Sequence, residues 1–293
     1  MKALRRKVFA WYARHPGAVG SSLIAPGLIF LLIFFVAPLA LMFAYSWMPR
    51  GIYGGVERGF TVEHYARFLD PLYLKILGRT ISQSLTCTAI SLLLGYPVAW
   101  TMANAGRWKN LLVFLVVIPF WTSFLVRTFA MIFLMRDGGL INSWLLALGL
   151  INEPLHMLHT PMAVQLGLVY GFLPFMVLPI YTSLEKLDLT LLEAAEVLGA
   201  RPLARFLRVT LPLSMPGVVA GSLLVFIPAL GSFLTADLLG GAKQMMIGNL
   251  VQNQFTSARN WPFGSAASFV VMACVLVSVI GYLRKTDAGK AAI

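Results

Sequence analysis

The sequence predicts an all-α integral membrane protein of six transmembrane helices with both termini in the cytoplasm. Three observations carry this. Of 293 residues, 59% are hydrophobic and only 12% charged, about half the charged share of an ordinary soluble domain. Six stretches reach the roughly 20 apolar residues that a spanning helix needs. The N-terminal arm, the 104–110 turn, the 185–212 loop and the C-terminal tail together hold about twice as many Lys and Arg as the alternate connections, an excess that marks the cytoplasmic side. The net charge of +12 is thus spread between spans, which argues against a nucleic-acid partner and for a chain seated in lipid.

The N-terminus is basic and then apolar, as a signal peptide is. Its apolar run over 23–45 is longer than such a segment and lacks a small-residue cleavage site, so it reads as a retained first span. The expected spans are 22–47, 80–105, 111–135, 161–184, 217–236 and 265–283. They give one membrane domain over 22–284, an N-terminal arm over 1–21 and a tail over 285–293. Pro26, Pro38, Pro97, Pro119, Pro174, Pro179 and Pro228 fall within the spans and predict kinks, since neighbouring helices can satisfy the freed carbonyls. Five spans are free of charge and the third holds Arg127. An intramembrane charge is a functional candidate by default, but near the outer end its expected role is a structural pairing.

The outside loops differ. Residues 48–79 are polar and mixed in charge. Residues 136–160 include a short apolar run, 144–151, which is too short to span and is expected at the interface or dipping back. Residues 237–264 carry Asp237, a Gly240–Gly241 turn and a Gln/Asn-rich run ending at Trp261–Pro262. Cys87 and Cys274 both lie in apolar runs and read as free thiols.

The 185–212 loop is the longest polar interval in the second half. Thr190 followed by Glu193 has the spacing of a capping box. Gly199 suits the left-handed end of a helix, and Pro202 suits the first turn of another. The loop therefore predicts a short helix, a glycine turn and a second short helix, with Pro212 leading to the fifth span. Arg201, Arg205 and Arg208 recur at helical spacing as one basic face. Ala194 and Ala195 keep the first helix thin enough for a partner surface to approach. The plain alternative is that Glu193 only caps and the arginines only set topology.

Glu193-Ala194-Ala195, Gly199, Val209, Leu211 and Pro212 together spell EAA-x3-G-x9-V-x-LP. This resembles the EAA loop of ABC-importer permeases, with Val209 where isoleucine is usual. The resemblance implies a type I ABC importer permease fold in which the loop is a cytoplasmic coupling helix. By the same resemblance Glu193, Ala194, Ala195 and Gly199 dock on an ATP-binding subunit. Residues 117–131, 167–188 and 238–266 are similar to polyamine permeases of spermidine/putrescine importers. That implies a bacterial inner-membrane subunit, paired with a second permease and a dimer of ATP-binding subunits, which receives substrate from a periplasmic binding protein.

The sequence has no GxxxxGK[ST] nucleotide loop, no HExxH and no GxSxG, so neither ATP hydrolysis nor another enzymatic activity is expected of this chain. ATP and Mg belong to the partner ATPase. His156 and His159, without a carboxylate neighbour in sequence, read as interfacial residues, and no metal site is expected. A polycation's passage calls for carboxylates and aromatic faces. Asp237, Trp121, Tyr170 and Phe226 are the candidates, each with a plain reading as a solvated or packing residue. The rival readings are the same machine for another small solute, and an ion-coupled carrier. The carrier needs intramembrane acids at a midplane site, and the spans contain none.

Overall fold

Prolines and glycines decide how the long apolar helices of this chain bend and meet. The computed structural model describes residues 16–241 and 244–290, so the basic residues of the arm, Lys2 to Arg14, lie outside the described residues. Helices α1 (Pro16–Leu31) and α2 (Ala37–Tyr45) are joined by one π-helical turn. Together they supply the first span, Ile24–Tyr45, which buries none of its apolar window in the rest of the chain. It touches the last helix edge-on through Phe43 and Phe269, at 5.3 Å between ring centres.

After the short α3 (Glu63–Phe68), α4 runs over Pro71–Asn104. Asp70 caps it by accepting from the Leu72 N–H at 2.9 Å, and Pro71 suits the first helical position. Its 34 residues make about 51 Å of helix, longer than the hydrocarbon layer, so the expected span 80–105 is only its apolar part.

The third expected span, 111–135, is not one rod. Helix α5 (Lys109–Val117) and a 3₁₀ turn (Ile118–Trp121) form one arm, and α6 (Phe124–Met135) and α7 (Leu140–Ala147) form the other. The arms meet at 90°. Pro119 removes one donor, and Thr122 and Ser123 then adopt extended backbone with ψ of 148° and 139°, so the ladder cannot continue. The described residues thus contain five helices apolar and long enough to cross a membrane, or six if this bent pair counts as one span. The first half of the apolar run 144–151 lies in α7, which packs against α6, and the second half lies in the turn that follows.

Helix α8 (Pro161–Glu185) is the hub. The loop helices α9 (Leu189–Val197) and α10 (Pro202–Arg205) follow, then α11 (Leu211–Gly231), α12 (Ile247–Phe255) and α13 (Trp261–Lys290). Helices α4, α8 and α11 pack as a triplet. In lipid, burial of apolar surface does not drive such packing, and close approach at small residues does. Gly217 and Gly221, one turn apart on α11, lie against α8. A Cβ at Gly217 would stand 2.5 Å from the Pro179 carbonyl oxygen and from Ser183 Oγ; at Gly221 it would stand 3.0 Å from the Met176 carbonyl oxygen. One buried hydrogen bond, Tyr96 Oη to Ser214 Oγ at 2.8 Å, joins α4 to α11. Thr80 Oγ1 accepts from the Ile247 N–H at 2.9 Å and seats the start of α12 on α4.

The fifth span differs from 217–236 at both ends. Helix α10 passes through a π-helical turn, Phe206–Thr210, into α11 without a break, giving one run over Pro202–Gly231. It stops at Ser232, whose ψ is 118°. Asp237 therefore does not close this span. It sits beyond the break, exposed, in a separate π-helical turn, Ala236–Gly240.

Candidate functional site

The polar loop is built from its two ends inward. Asp188 occupies the N-cap of α9 and accepts from the Thr190 N–H at 3.0 Å. Hydrogen bonds from the Thr190 backbone and side chain hold its carboxyl below the ordinary value. The cap is thus Asp188 and not Thr190, because Asp188 holds the extended backbone of an N-cap and already accepts from the Thr190 amide, which leaves Thr190 inside the first turn. Glu193, released from the expected capping box, is exposed and makes no hydrogen bond or ion pair among the described residues.

At the other end of α9, Gly199 has φ +78°. Its N–H donates to the Glu196 carbonyl at 2.9 Å, and the Ala200 N–H donates to the Ala195 carbonyl at 3.0 Å. These two bonds define a Schellman ending. Arg201 then takes extended backbone at the N-cap and Pro202 opens α10, as its fixed φ favours. The three arginines do not form one free basic face: Arg205 turns back to pair with Glu196 across the glycine turn, while Arg201 and Arg208 stay exposed.

The loop carries an apolar crest that sequence reasoning passed over. Val197 is 88% exposed, Leu198 86% and Leu203 69%, although all three lie within or beside the loop helices. Glu193 and Ala194 are exposed on the same short helix, and Ala195 is half-buried. Side chains this apolar, projecting from rigid turns, suit a protein surface better than water. The base of the loop is tied down as well. Phe206 meets Tyr96 edge-on at 5.5 Å, and Lys109 Nζ donates to Glu185 Oε1 at 2.7 Å, linking the 104–110 turn to the end of α8.

The candidate pathway residues are not brought together. Trp121 is 74% exposed at the bend, edge-on to Phe114 at 5.6 Å. Tyr170 lies on the exposed side of α8. Phe226 lines a groove of about 430 Å³ with Leu85, Leu92 and Ser222. No ring contact joins any two of these three among the described residues. His156 has a carboxylate neighbour after all, Asp137, 3.0 Å from Nδ1; the two lie 19 positions apart and meet only because α6 and α7 fold back.

Two polar features inside the apolar layer were missed or left open by sequence. With the Gln165 amide oriented to suit its neighbours, its nitrogen donates to Gln83 Oε1 at 2.5 Å and its oxygen accepts from the Cys87 N–H at 2.7 Å, a polar bridge between α8 and α4. The signal was two glutamines in spans otherwise poor in amides. Arg127 finds aromatic partners: its guanidinium carbon lies 4.7 Å from the Phe120 ring centre and 5.7 Å from that of Phe124.

Residues 91–284 match the family described as binding-protein-dependent transport system inner membrane component. The chain is 43% identical over 255 residues to the spermidine/putrescine transport system permease protein PotB of Escherichia coli K12, covering 87% of this chain and 93% of that one. It is 44% identical to the protein of the same name from Haemophilus influenzae, over 86% and 89% of the two chains. Among solved structures, a bacterial ABC transporter involved in import of the acidic polysaccharide alginate superposes with a TM-score of 0.70 over 96% of this chain and 99% of that one, at 16% identity. The last comparison speaks for the fold alone.

Proposed function

The chain belongs to the family of binding-protein-dependent transport system inner membrane components, and from that membership we propose that it is the permease subunit of an ATP-driven polyamine importer. The observation that carries the substrate is its likeness, along nearly the whole chain, to two spermidine/putrescine permeases. It is a transport subunit and not an enzyme. In this reading it spans the inner membrane with both termini and the 185–212 loop in the cytoplasm. It pairs there with a second permease and two ATP-binding subunits that hold ATP and Mg, and it receives substrate from a periplasmic binding protein.

The loop geometry supports the drive mechanism. The free carboxylate of Glu193, the thin Ala194–Ala195 surface and the Gly199 turn form the docking element, and the Val197–Leu198 crest gives it an apolar footing. ATP closes the ATPase dimer and displaces the loop. The continuous Pro202–Gly231 helix carries that displacement into the triplet, and the two permeases open outward beneath the docked binding protein. Hydrolysis resets them. Trp121, Tyr170, Phe226 and Asp237 remain proposed pathway contacts, reached from different elements as the state changes.

The test is ATPase activity of the reconstituted complex with binding protein loaded by spermidine, putrescine or unrelated solutes. Stimulation by polyamines is expected, and a response only to another solute class would overturn the substrate assignment. Glu193→Lys is expected to uncouple or detach the ATPase. An intact, fully stimulated Glu193→Lys complex would leave Glu193 without a docking role.

A further inference from the structure

We propose that Phe120, Phe124, Phe172 and Phe175 form a binding site for an alkylammonium group, and that Arg127 occupies this site as a tethered cation when no substrate is present. The identity of the cation rests on the polyamine reading; the cage rests on geometry. Phe120 meets Phe175 edge-on at 5.2 Å, Phe124 stacks toward Phe172 at 6.5 Å, and Phe172 lies 6.4 Å from Phe175. Two of these rings hold the Arg127 guanidinium within the 6 Å range at which a ring face attracts a cation.

The arginine's own bonding is the anomaly. Its Nε and Nη1 are buried and have no hydrogen-bond partner, and no ion pair reaches it among the described residues. Arginine keeps its charge in proteins and ordinarily claims a carboxylate or carbonyl fork. Here ring faces replace both, which is the environment an ammonium ligand requires. The chain also makes room for the cage: a Cβ at Gly171 would stand 2.9 Å from Phe124 Cε2.

The cage spans a bend and a proline. Phe120 precedes the extended break at Thr122–Ser123, whereas Phe124 and Arg127 follow it. Phe172 and Phe175 flank Pro174 on α8. Changing the 90° bend therefore changes the cage. Entry of a substrate ammonium with exit of the guanidinium leaves the charge in the cage unchanged, and the long arginine stem lets the displaced head reach the membrane boundary.

The experiment uses the complex of this chain with its second permease and ATP-binding subunits in lipid nanodiscs, without binding protein, titrated with tetramethylammonium and with spermidine. Arg127→Gln vacates the cage and is expected to bind both about tenfold more tightly than wild type, the scale of one desolvated cation–ring contact. Adding Phe120→Leu should cancel the gain, and Arg127→Lys, still a cation, should stay at the wild-type level. No gain with Arg127→Gln, or a gain that survives Phe120→Leu, overturns the proposal. Arg127→Met serves the same comparison if Arg127→Gln does not assemble. Failure of both to assemble while Arg127→Lys does so also overturns it, by assigning Arg127 to an anion on the neighbouring subunit. Failure of spermidine-loaded binding protein to stimulate the wild-type ATPase refutes the polyamine reading and leaves the tetramethylammonium result to judge the cage.

Discussion

Gly199→Ala tests the loop at the point where its backbone is left-handed and its surroundings are open. No atom lies within 4 Å of a Cβ placed there, so crowding adds nothing and the backbone alone sets the cost. At φ +78° a side chain costs roughly 1–2 kcal/mol, and the stiffer unfolded chain returns about 0.4–1 kcal/mol. The net is about 1 kcal/mol, a factor of about five in the population of the formed turn. Hydrogen exchange reads this directly. The Ala200 amide, bonded to the Ala195 carbonyl at 3.0 Å, should exchange about fivefold faster in Gly199→Ala. Polyamine-stimulated ATPase in the reconstituted complex should fall with it. Gly199→Asn should lie between, since asparagine tolerates the left-handed region. An Ala200 amide as protected in the alanine variant as in wild type would refute the reasoning, and so would an asparagine variant as damaged as the alanine one.

Other perturbations separate packing from capping. Gly217→Ala forces a methyl to within 2.5 Å of the Pro179 carbonyl oxygen, and a lowered melting temperature equivalent to about 1–3 kcal/mol is expected; Gly231→Ala, with open space around it at the end of α11, should leave the melting temperature as high as wild type or slightly higher. Tyr96→Phe removes the hydroxyl bonded to Ser214 and should cost about 0.6–2 kcal/mol by unfolding of the purified complex, while Ser214 keeps its bond to the Leu211 carbonyl. The Asp188 carboxyl is held low in the folded loop, so its contribution is complete above the unfolded value near about pH 4 and disappears as pH falls through the lowered folded value. Asp188→Asn should retain the cap and flatten that acid-side loss in exchange protection at Thr190.

The parts of this fold that follow from apolar length alone were legible in the sequence. So were the positive φ of Gly199 and the opening role of Pro202, because each answers to a local rule. What failed depends on competition or on distance. Asp188 and Thr190 are both good caps, and only the backbone direction entering α9 selects the first. The break after Trp121 was hidden inside an apolar run, although Pro119 followed by Thr122 and Ser123 was a visible weakness in it. The glycine pair at 217 and 221 is plain in the sequence but acquires meaning only once α8 lies against it. Arg127 could not be partnered from sequence because half of its ring cluster comes from Phe172 and Phe175, some 45 positions away and on another helix. The family motif placed the loop and left the crest of Val197 and Leu198 unread, since apolar exposure has no sequence signature.

The unbroken passage from α10 into α11 has a mechanical consequence. The run of 30 residues from Pro202 to Gly231 is a shaft about 45 Å long, gripped near its middle where Gly217 and Gly221 lie against α8. A rigid tilt of about 5° about that contact would swing each end by about 2 Å in opposite directions. A small push on the polar end would then emerge at the far side as a stroke of similar size and reversed sign, with no need for the helix to unwind.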